Sequence, residues 1–215
     1  MKQSIRDISS EELNQVEDLF KKNKNQLELY AELLLWWNKK INLVSRDVPR
    51  ETVLVHIKHS LLISLSSGFI EANYIIDTGA GGGLPGIPLA ICYPEKTFVI
   101  NDIVSKKIFA VNDMVNKLGL SSKVSGLASD IKLVDIPVAA VIITKHAFKL
   151  DQLFKLTENR PWSSIVFLKG YIKSKDELAG LENLVDMDVL RLDSSFMPSF
   201  FEGKGLVEIK RKTNE

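Results

Sequence analysis

The stretch Asp77-Thr78-Gly79-Ala80-Gly81-Gly82-Gly83-Leu84-Pro85-Gly86-Ile87-Pro88 decides the reading of this chain. It follows the β-branched run Tyr74-Ile75-Ile76 and precedes an apolar segment, which makes it a strand-to-helix turn. Glycines at 79, 81 and 83 admit positive φ and let a ligand approach the main chain with no Cβ in between. Pro85 and Pro88 suit a first helical turn, where a missing N–H costs little, and free amides there favour an anionic group. Gly81, Gly83 and Gly86 satisfy G-x-G-x-x-G, a dinucleotide fingerprint that is weak on its own. Two carboxylates narrow the choice. Asp77 closes the strand just before Gly79, where it faces a cationic group better than a pyrophosphate. Asp102 closes the next strand, 21 positions after Gly81, where an acidic side chain accepts hydrogen bonds from ribose hydroxyls. S-Adenosylmethionine has a cationic amino-acid end, a ribose, an adenine and no pyrophosphate, and fits this pair better than NAD. A bare turn would carry the entropic penalty of these glycines, roughly 1 kcal/mol each in regular structure, to no purpose.

Outward from this turn the chain divides in two. Upstream, Ser9 and Glu12 form a capping-box signature ahead of Leu13, Val16, Leu19 and Phe20. Leu27, Tyr30, Ala31, Leu34 and Trp37 continue at helical spacing, and a third helical pattern covers residues 52–66. The first third therefore reads as helical. Downstream, short apolar or β-branched runs at 97–101, 124–127, 139–144, 164–168, 189–192 and 206–210 alternate with helix-length segments. Continuous apolar runs such as 138–143 suit strands buried on both faces, so the sheet is expected to be largely parallel with helices on each side. The last two strands, joined by a loop ending in Gly203 and Gly205, are expected to pair antiparallel.

The 215 residues are 45% apolar and 26% charged, with a net charge of +1, which excludes fibrous and wholly disordered classes. Cys92 is the single cysteine, so neither an intrachain disulfide nor a multi-cysteine zinc site can form. His56, His59 and His146 lack metal-ligand spacing with neighbouring carboxylates and read as surface or hydrogen-bonding residues, and no metal is expected. The start of the chain has no apolar signal region and no run approaches the ~20 apolar residues of a membrane span, which predicts a cytoplasmic protein without membrane attachment. Charge is unevenly spread: residues 36–60 carry +3, residues 145–175 carry +5 and residues 176–203 carry −6. Were the two basic stretches to meet in space, they would form an anion-binding face on a near-neutral protein.

The motifs Trp37-Asn38-Lys39-Lys40-Ile41-Asn42-Leu43, His56 with Ser60-Leu61, the run 77–91 with Gly83-Leu84-Pro85-Gly86-Ile87-Pro88, Asp102 with Lys106-Lys107, and Leu168-Lys169-Gly170 occur in the order found in the RsmG (GidB) methyltransferases. The chain resembles that family over residues 27–212, most specifically in the Gly-Leu-Pro-Gly-Ile-Pro run. The resemblance implies methyl transfer from S-adenosyl-L-methionine to N7 of a guanine in small-subunit (16S) ribosomal RNA, free or within the 30S particle. The implied fold is α/β, a Rossmann-like methyltransferase sheet, mostly parallel with an antiparallel C-terminal strand. Residues 1–70 would form an N-terminal helical extension packed on a methyltransferase domain of residues 71–215, the whole a monomer. By position, Asp77, Gly79, Gly81, Gly83 and Leu84 would contact the methionine part, Asp102 the ribose, and Ala128, Ser129 and Asp130 the adenine. Lys145 would be the catalytic residue beside donor and target base, where the family usually has arginine, and Lys169 would share its rim. The chain also departs from the family pattern at Leu127, where arginine is usual, and at His59, where aspartate is frequent. Lysine keeps the charge of arginine and loses its planar, bidentate fork.

Guanine N7 carries an unprotonated lone pair, so transfer to it needs no general base; alignment of nucleophile, methyl and leaving group can supply roughly 7–11 kcal/mol of barrier reduction. In A-form RNA N7 lies in a deep, narrow groove, so the target is expected to be unpaired or locally opened. Lys39, Lys40, Lys106, Lys107 and Lys169 are candidate partners for the RNA, with Lys145 close by, and binding should weaken as salt rises. Of Trp36 and Trp37, the latter is expected to face the core. A methyltransferase acting on a small molecule or a protein, and a non-catalytic RNA-binding relative, are the competing readings, because a fold does not set its acceptor.

Overall fold

The computed structural model describes residues 2–212. In chain order the elements are β1 (Gln3–Asp7), α1 (Ser10–Lys22), α2 (Lys24–Asn38), α3 (Arg50–Leu61), α4 (Ser67–Glu71), β2 (Tyr74–Thr78), α5 (Gly86–Cys92), β3 (Thr97–Asp102), α6 (Ser105–Lys117), β4 (Val124–Ala128), β5 (Val141–Lys145), α7 (Leu150–Thr157), β6 (Ser164–Gly170), α8 (Ser174–Glu177), β7 (Val185–Arg191) and β8 (Lys204–Arg211). The capping box at α1 forms as its residues predict: Ser9 Oγ accepts the Glu12 N–H at 3.2 Å and the Glu12 carboxylate accepts the Ser9 N–H at 3.0 Å.

The strands build one sheet in the order β1-β7-β8-β6-β5-β2-β3-β4. All pairings are parallel except those of β8, which runs antiparallel to both β6 and β7. From β2 the chain progresses to β3 and β4 on one side, while β5 and β6 lie on the other. The carboxyl ends of β2 and β5 therefore flank the reversal point at which open α/β sheets bind ligands. Both faces are covered. Ile75 and Ile143 pack with α2 and α3, whereas their neighbours Ile76 and Ile142 pack with α7 on the far side, all fully buried. That double burial explains why these strands are continuous apolar runs rather than alternating ones.

Three local differences from the sequence reading have physical causes. β1 carries no apolar pattern: four of its five residues are exposed, Ile5 among them, and it is held at the sheet edge by main-chain pairing and by polar contacts such as Arg191 Nε to Asp7 Oδ1 at 2.6 Å. The helical first third thus begins with a strand of the main sheet. The apolar run at 138–143 is not all strand; Val138 is 83% exposed, Ala139 has φ of 62° and pairing begins at Val141. The third helix ends at Leu61 and continues as a 3-10 turn through Leu65.

Leu34 of α2 is fully buried and packs where the glycine turn meets the helical layer. Leu34→Ala is expected to destabilise the fold by about 2–5 kcal/mol in urea unfolding; a loss under about 1 kcal/mol would mean that α2 is loosely docked.

Candidate active site

The glycine turn adopts the backbone that its composition allows, with φ of +68° at Gly79 and +57° at Gly81. A methyl group on Gly79 would lie 2.6 Å from Ala147 Cβ, and one on Gly81 3.2 Å from the Leu43 carbonyl oxygen, so the two glycines are required by close approach as well as by φ. The N-terminal helices hold this turn from outside. Tyr30 of α2 donates its hydroxyl to the Gly82 carbonyl at 2.9 Å. Asn38, at the end of α2, accepts the Leu43 and Val44 amides at 2.9 and 3.0 Å and so folds the following loop across Gly81. None of these positioning residues stands out as polar machinery in the sequence; Asn38 is signalled only by its Trp-Asn context.

Asp77 lies at the end of β2, fully buried. Its Oδ2 accepts the Gly86 N–H at 2.7 Å, tying the first amide of α5, while its Oδ1 is buried with no partner among the described residues. Burial drives the Asp77 carboxyl well above the usual carboxylate range, partly opposed by the Gly86 hydrogen bond and by Lys145. Asp102 ends β3 nearly buried; its Oδ2 accepts the Gly81 N–H at 3.0 Å and its Oδ1 the Val104 N–H at 2.9 Å, with Lys107 Nζ at 3.6 Å. These contacts correct the expectation of free amides awaiting an anion: the chain's own carboxylates take the Gly81 and Gly86 amides, and Gly83 accepts the Ile87 N–H at 2.8 Å. A pyrophosphate here would meet two carboxylates in place of donors. A cationic ligand end would meet an unpaired carboxylate oxygen, and the site fits the amino-acid end of S-adenosylmethionine on that observation.

The polar layer beneath the turn was missed in the sequence. Thr78 Oγ1 donates to Asn101 Oδ1 and Thr144 Oγ1 to the Thr78 carbonyl, each at 2.8 Å, and Asn101 Nδ2 donates to the carbonyls of Leu127 and Ser129 at 3.1 and 2.8 Å. Asn101 thereby fixes the segment Ala128-Ser129-Asp130 beside Asp102, whose carbonyl accepts the Ser129 N–H at 3.3 Å. Ala128 is exposed, and Asp130 turns its carboxylate onto the Lys132 amide at 3.0 Å.

The two basic stretches do meet. Lys145, at the end of β5, places Nζ 3.1 Å from His56 Nδ1 and 3.4 Å from the His56 carbonyl of α3. Burial is the main cause that lowers the Lys145 ammonium to about 7, with Lys204 adding to the effect and Asp77 opposing it. Burial, followed by the neighbouring Lys145, likewise lowers His56 and His146 to about 4, so neutral His56 can accept the lysine proton. His59 departs from the expectation of a surface or hydrogen-bonded residue: it is fully buried, its ring nitrogens have no partner among the described residues, and its ring stacks edge-on with Phe200 and Phe201 at 5.6 and 5.4 Å. Apolar burial makes it a neutral filler. The candidate RNA partners separate into two groups. Lys39, Lys40 and Lys106 are exposed, whereas Lys107 leans on Asp102 and Lys169 is nearly buried in an ion pair with Glu177.

A doubly wound sheet with a carboxylate closing each of two adjacent strands around a glycine turn defines the S-adenosylmethionine-dependent methyltransferase class. Solved structures share the fold: an O-methyltransferase from Bacillus cereus in complex with SAH superposes with a TM-score of 0.57 at 17% identity, covering 85% of this chain and 90% of that one. The methyltransferase SibL gives a TM-score of 0.54 at 13% identity, over 77% of this chain and 60% of that one. Residues 23–206 match the family GidB, rRNA small subunit methyltransferase G. Proteins named ribosomal RNA small subunit methyltransferase G are similar throughout: 38% identical over 171 residues in Chlorobium limicola, covering 75% of this chain and 77% of the relative, and 30% over 204 residues in Flavobacterium psychrophilum, covering 91% and 94%. The chain belongs to this rRNA methyltransferase family.

Because the folded protein holds a proton on Asp77 more tightly than the unfolded chain does, stability falls as pH climbs from the unfolded carboxylate value through the raised folded one. Asp77→Asn removes that loss, so its Tm relative to the wild type should rise between pH 5 and pH 8. The same variant should lose affinity for S-adenosylhomocysteine by roughly 30-fold or more in calorimetry, since one partner of a buried charge pair is gone. Unchanged affinity would remove Asp77 from the donor site.

Proposed function

We propose that this protein methylates N7 of a guanine in 16S ribosomal RNA, as a cytoplasmic monomer acting on RNA that is free or within the 30S particle. The observation that carries this reading is the unpaired, buried Asp77 Oδ1 beside a glycine turn at the sheet reversal point. Family membership supplies the RNA. Residues 1–70 serve as a mainly helical brace for the turn and residues 71–215 as the transfer domain; Tyr30 links the two through Gly82, and Asn38 shapes the loop that lies over Gly81.

Bound S-adenosylmethionine supplies an electrophilic methyl group on a sulfonium. Asp77 takes its ammonium group, against main chain at Gly79, Gly81, Gly83 and Leu84. Asp102 keeps lone pairs free beyond its two amide contacts and accepts from the ribose hydroxyls. Ala128, Ser129 and Asp130 border the adenine. Proton release from Asp77 accompanies donor binding, because the ligand's positive charge favours the carboxylate.

The acceptor needs no base, so Lys145 has a positioning task. His56 can take two of its three ammonium protons, through Nδ1 and the carbonyl, and the third is left for O6 of the target guanine, which orients N7. Lys39, Lys40 and Lys106, all exposed, meet the RNA phosphates. Lys107 and Lys169 contribute to the same rim while paired with Asp102 and Glu177.

Mapping of methylated bases in 16S RNA from cells with and without the gene should show one N7-methylguanine that depends on it. Methylation at another atom, or of a protein or small molecule in its place, rejects the assignment. At saturating donor, transfer should fall as pH rises from 6 to 8.5 through the Lys145 value of about 7, since the ammonium form is the active one. Lys145→Arg, charged throughout, should flatten that profile, and Lys145→Ala should lose rate while retaining donor affinity. A rate that increases across this interval in the wild type would contradict the role of the ammonium.

A further inference from the structure

Beside the donor site the surface carries a row of three aromatic rings, two of them left exposed. Trp36 near the end of α2 is 46% exposed and Phe109 on α6 is 67% exposed. Trp37 joins them edge to face, its ring 5.0 Å from Trp36 and 5.8 Å from Phe109. Trp37 is the fixed member: it packs on the core and its Nε1 donates to Asp113 Oδ2 at 2.8 Å. Large apolar rings left in water beside one another mark a contact surface more often than a packing accident.

Cations frame the row. Lys40 Nζ lies 3.5 Å and Lys117 Nζ 5.0 Å from the Trp36 ring centre. Lys106 is exposed one turn before Phe109 on the same face of α6. Asp113, the carboxylate among these groups, is committed to Lys117 at 2.6 Å and to Trp37. On the other flank of α2 a groove of about 350 Å³ is lined by Asn38, Lys39, Lys40, Asn42 and Arg46 with Asp47. The face also adjoins the donor site, because Lys107 on the first turns of α6 reaches Asp102 at 3.6 Å.

We propose that Trp36 and Phe109 are a stacking platform for unpaired bases of the RNA substrate, with Lys40, Lys106 and Lys117 beside its phosphates. Exposed π faces interleaved with ammonium groups match a single strand, whose bases are free to stack. A duplex presents phosphates but hides its base faces, and an apolar protein surface leaves the Lys40 and Lys106 charges unmet. The assignment rests on the RNA methyltransferase reading above and adds where RNA outside the target nucleotide is held.

The test is a titration of the whole protein with a twelve-nucleotide oligoadenylate and with a duplex RNA of equal charge, followed by intrinsic fluorescence. Trp162 is buried, which leaves Trp36 as the exposed emitter of the three tryptophans. The single strand should quench the wild type and the duplex should not; Trp36→Phe should lose most of the quenching while still binding. Phe109→Ala should weaken oligoadenylate binding about tenfold, raise KM for undermodified 30S RNA with kcat preserved, and leave S-adenosylhomocysteine affinity as it was. Wild-type binding in both Phe109→Ala and Trp36→Ala overturns the platform, as does equal quenching by duplex and single strand. A raised KM on the 30S particle with wild-type oligoadenylate binding also overturns it and points to a ribosomal protein contact. If the platform fails while the wild type still methylates 16S RNA, the transfer assignment stands; if the wild type methylates no RNA, both fall.

Discussion

A carboxylate sealed inside the protein with one oxygen unmatched is the constraint around which the molecule is arranged. Asp77 Oδ2 fixes the first amide of α5, and Oδ1 has no partner among the described residues. A buried carboxyl with an unmatched oxygen is among the costlier features a fold can retain, and burial holds its titration well above the usual carboxylate range. Its surroundings leave little slack: a side chain at Gly86 would come within 2.8 Å of the carboxylate itself, which obliges the helix to start on a glycine. A single residue thus both shapes the turn and leaves the turn short of a positive charge, which a ligand of that sign would relieve.

Support for this arrangement comes from outside the sheet. Tyr30, Leu34 and Leu43, all from the first 45 residues, close over Gly81 and Gly82. His56 reaches from α3 to Lys145, 89 positions away. The helical layer therefore helps to hold the geometry of the turn and of Lys145, and its packing keeps the turn from relaxing.

The parts of the fold legible in the sequence are those written in local pattern. Glycine spacing announced the positive φ values at Gly79 and Gly81, the Ser9–Glu12 box announced α1, and the apolar runs announced β2, β3 and β6. Where several interactions compete for the same group, pattern fails. That Asp102 would spend both oxygens on the Gly81 and Val104 amides cannot be read from its spacing, because spacing places a side chain without saying which way it turns. Asn101, His59 and the His56–Lys145 contact depend on strand order and helix docking, which are set by the whole chain. β1 was invisible for a simpler reason: an edge strand with four exposed residues needs no apolar alternation.

That edge strand has a consequence for how the chain comes to be folded. Residues 3–7 pair with residues 187–191, and β7 in turn leans on β8, among the last residues of the chain. During synthesis from the amino terminus, residues 3–7 must wait with their main-chain groups in water until residues 185–211 have emerged. The closing step joins contacts 184 positions apart, the kind of ring closure that is slow because its entropic cost falls due before its enthalpic return. Residues 3–7 are thus made well before the strand they pair with.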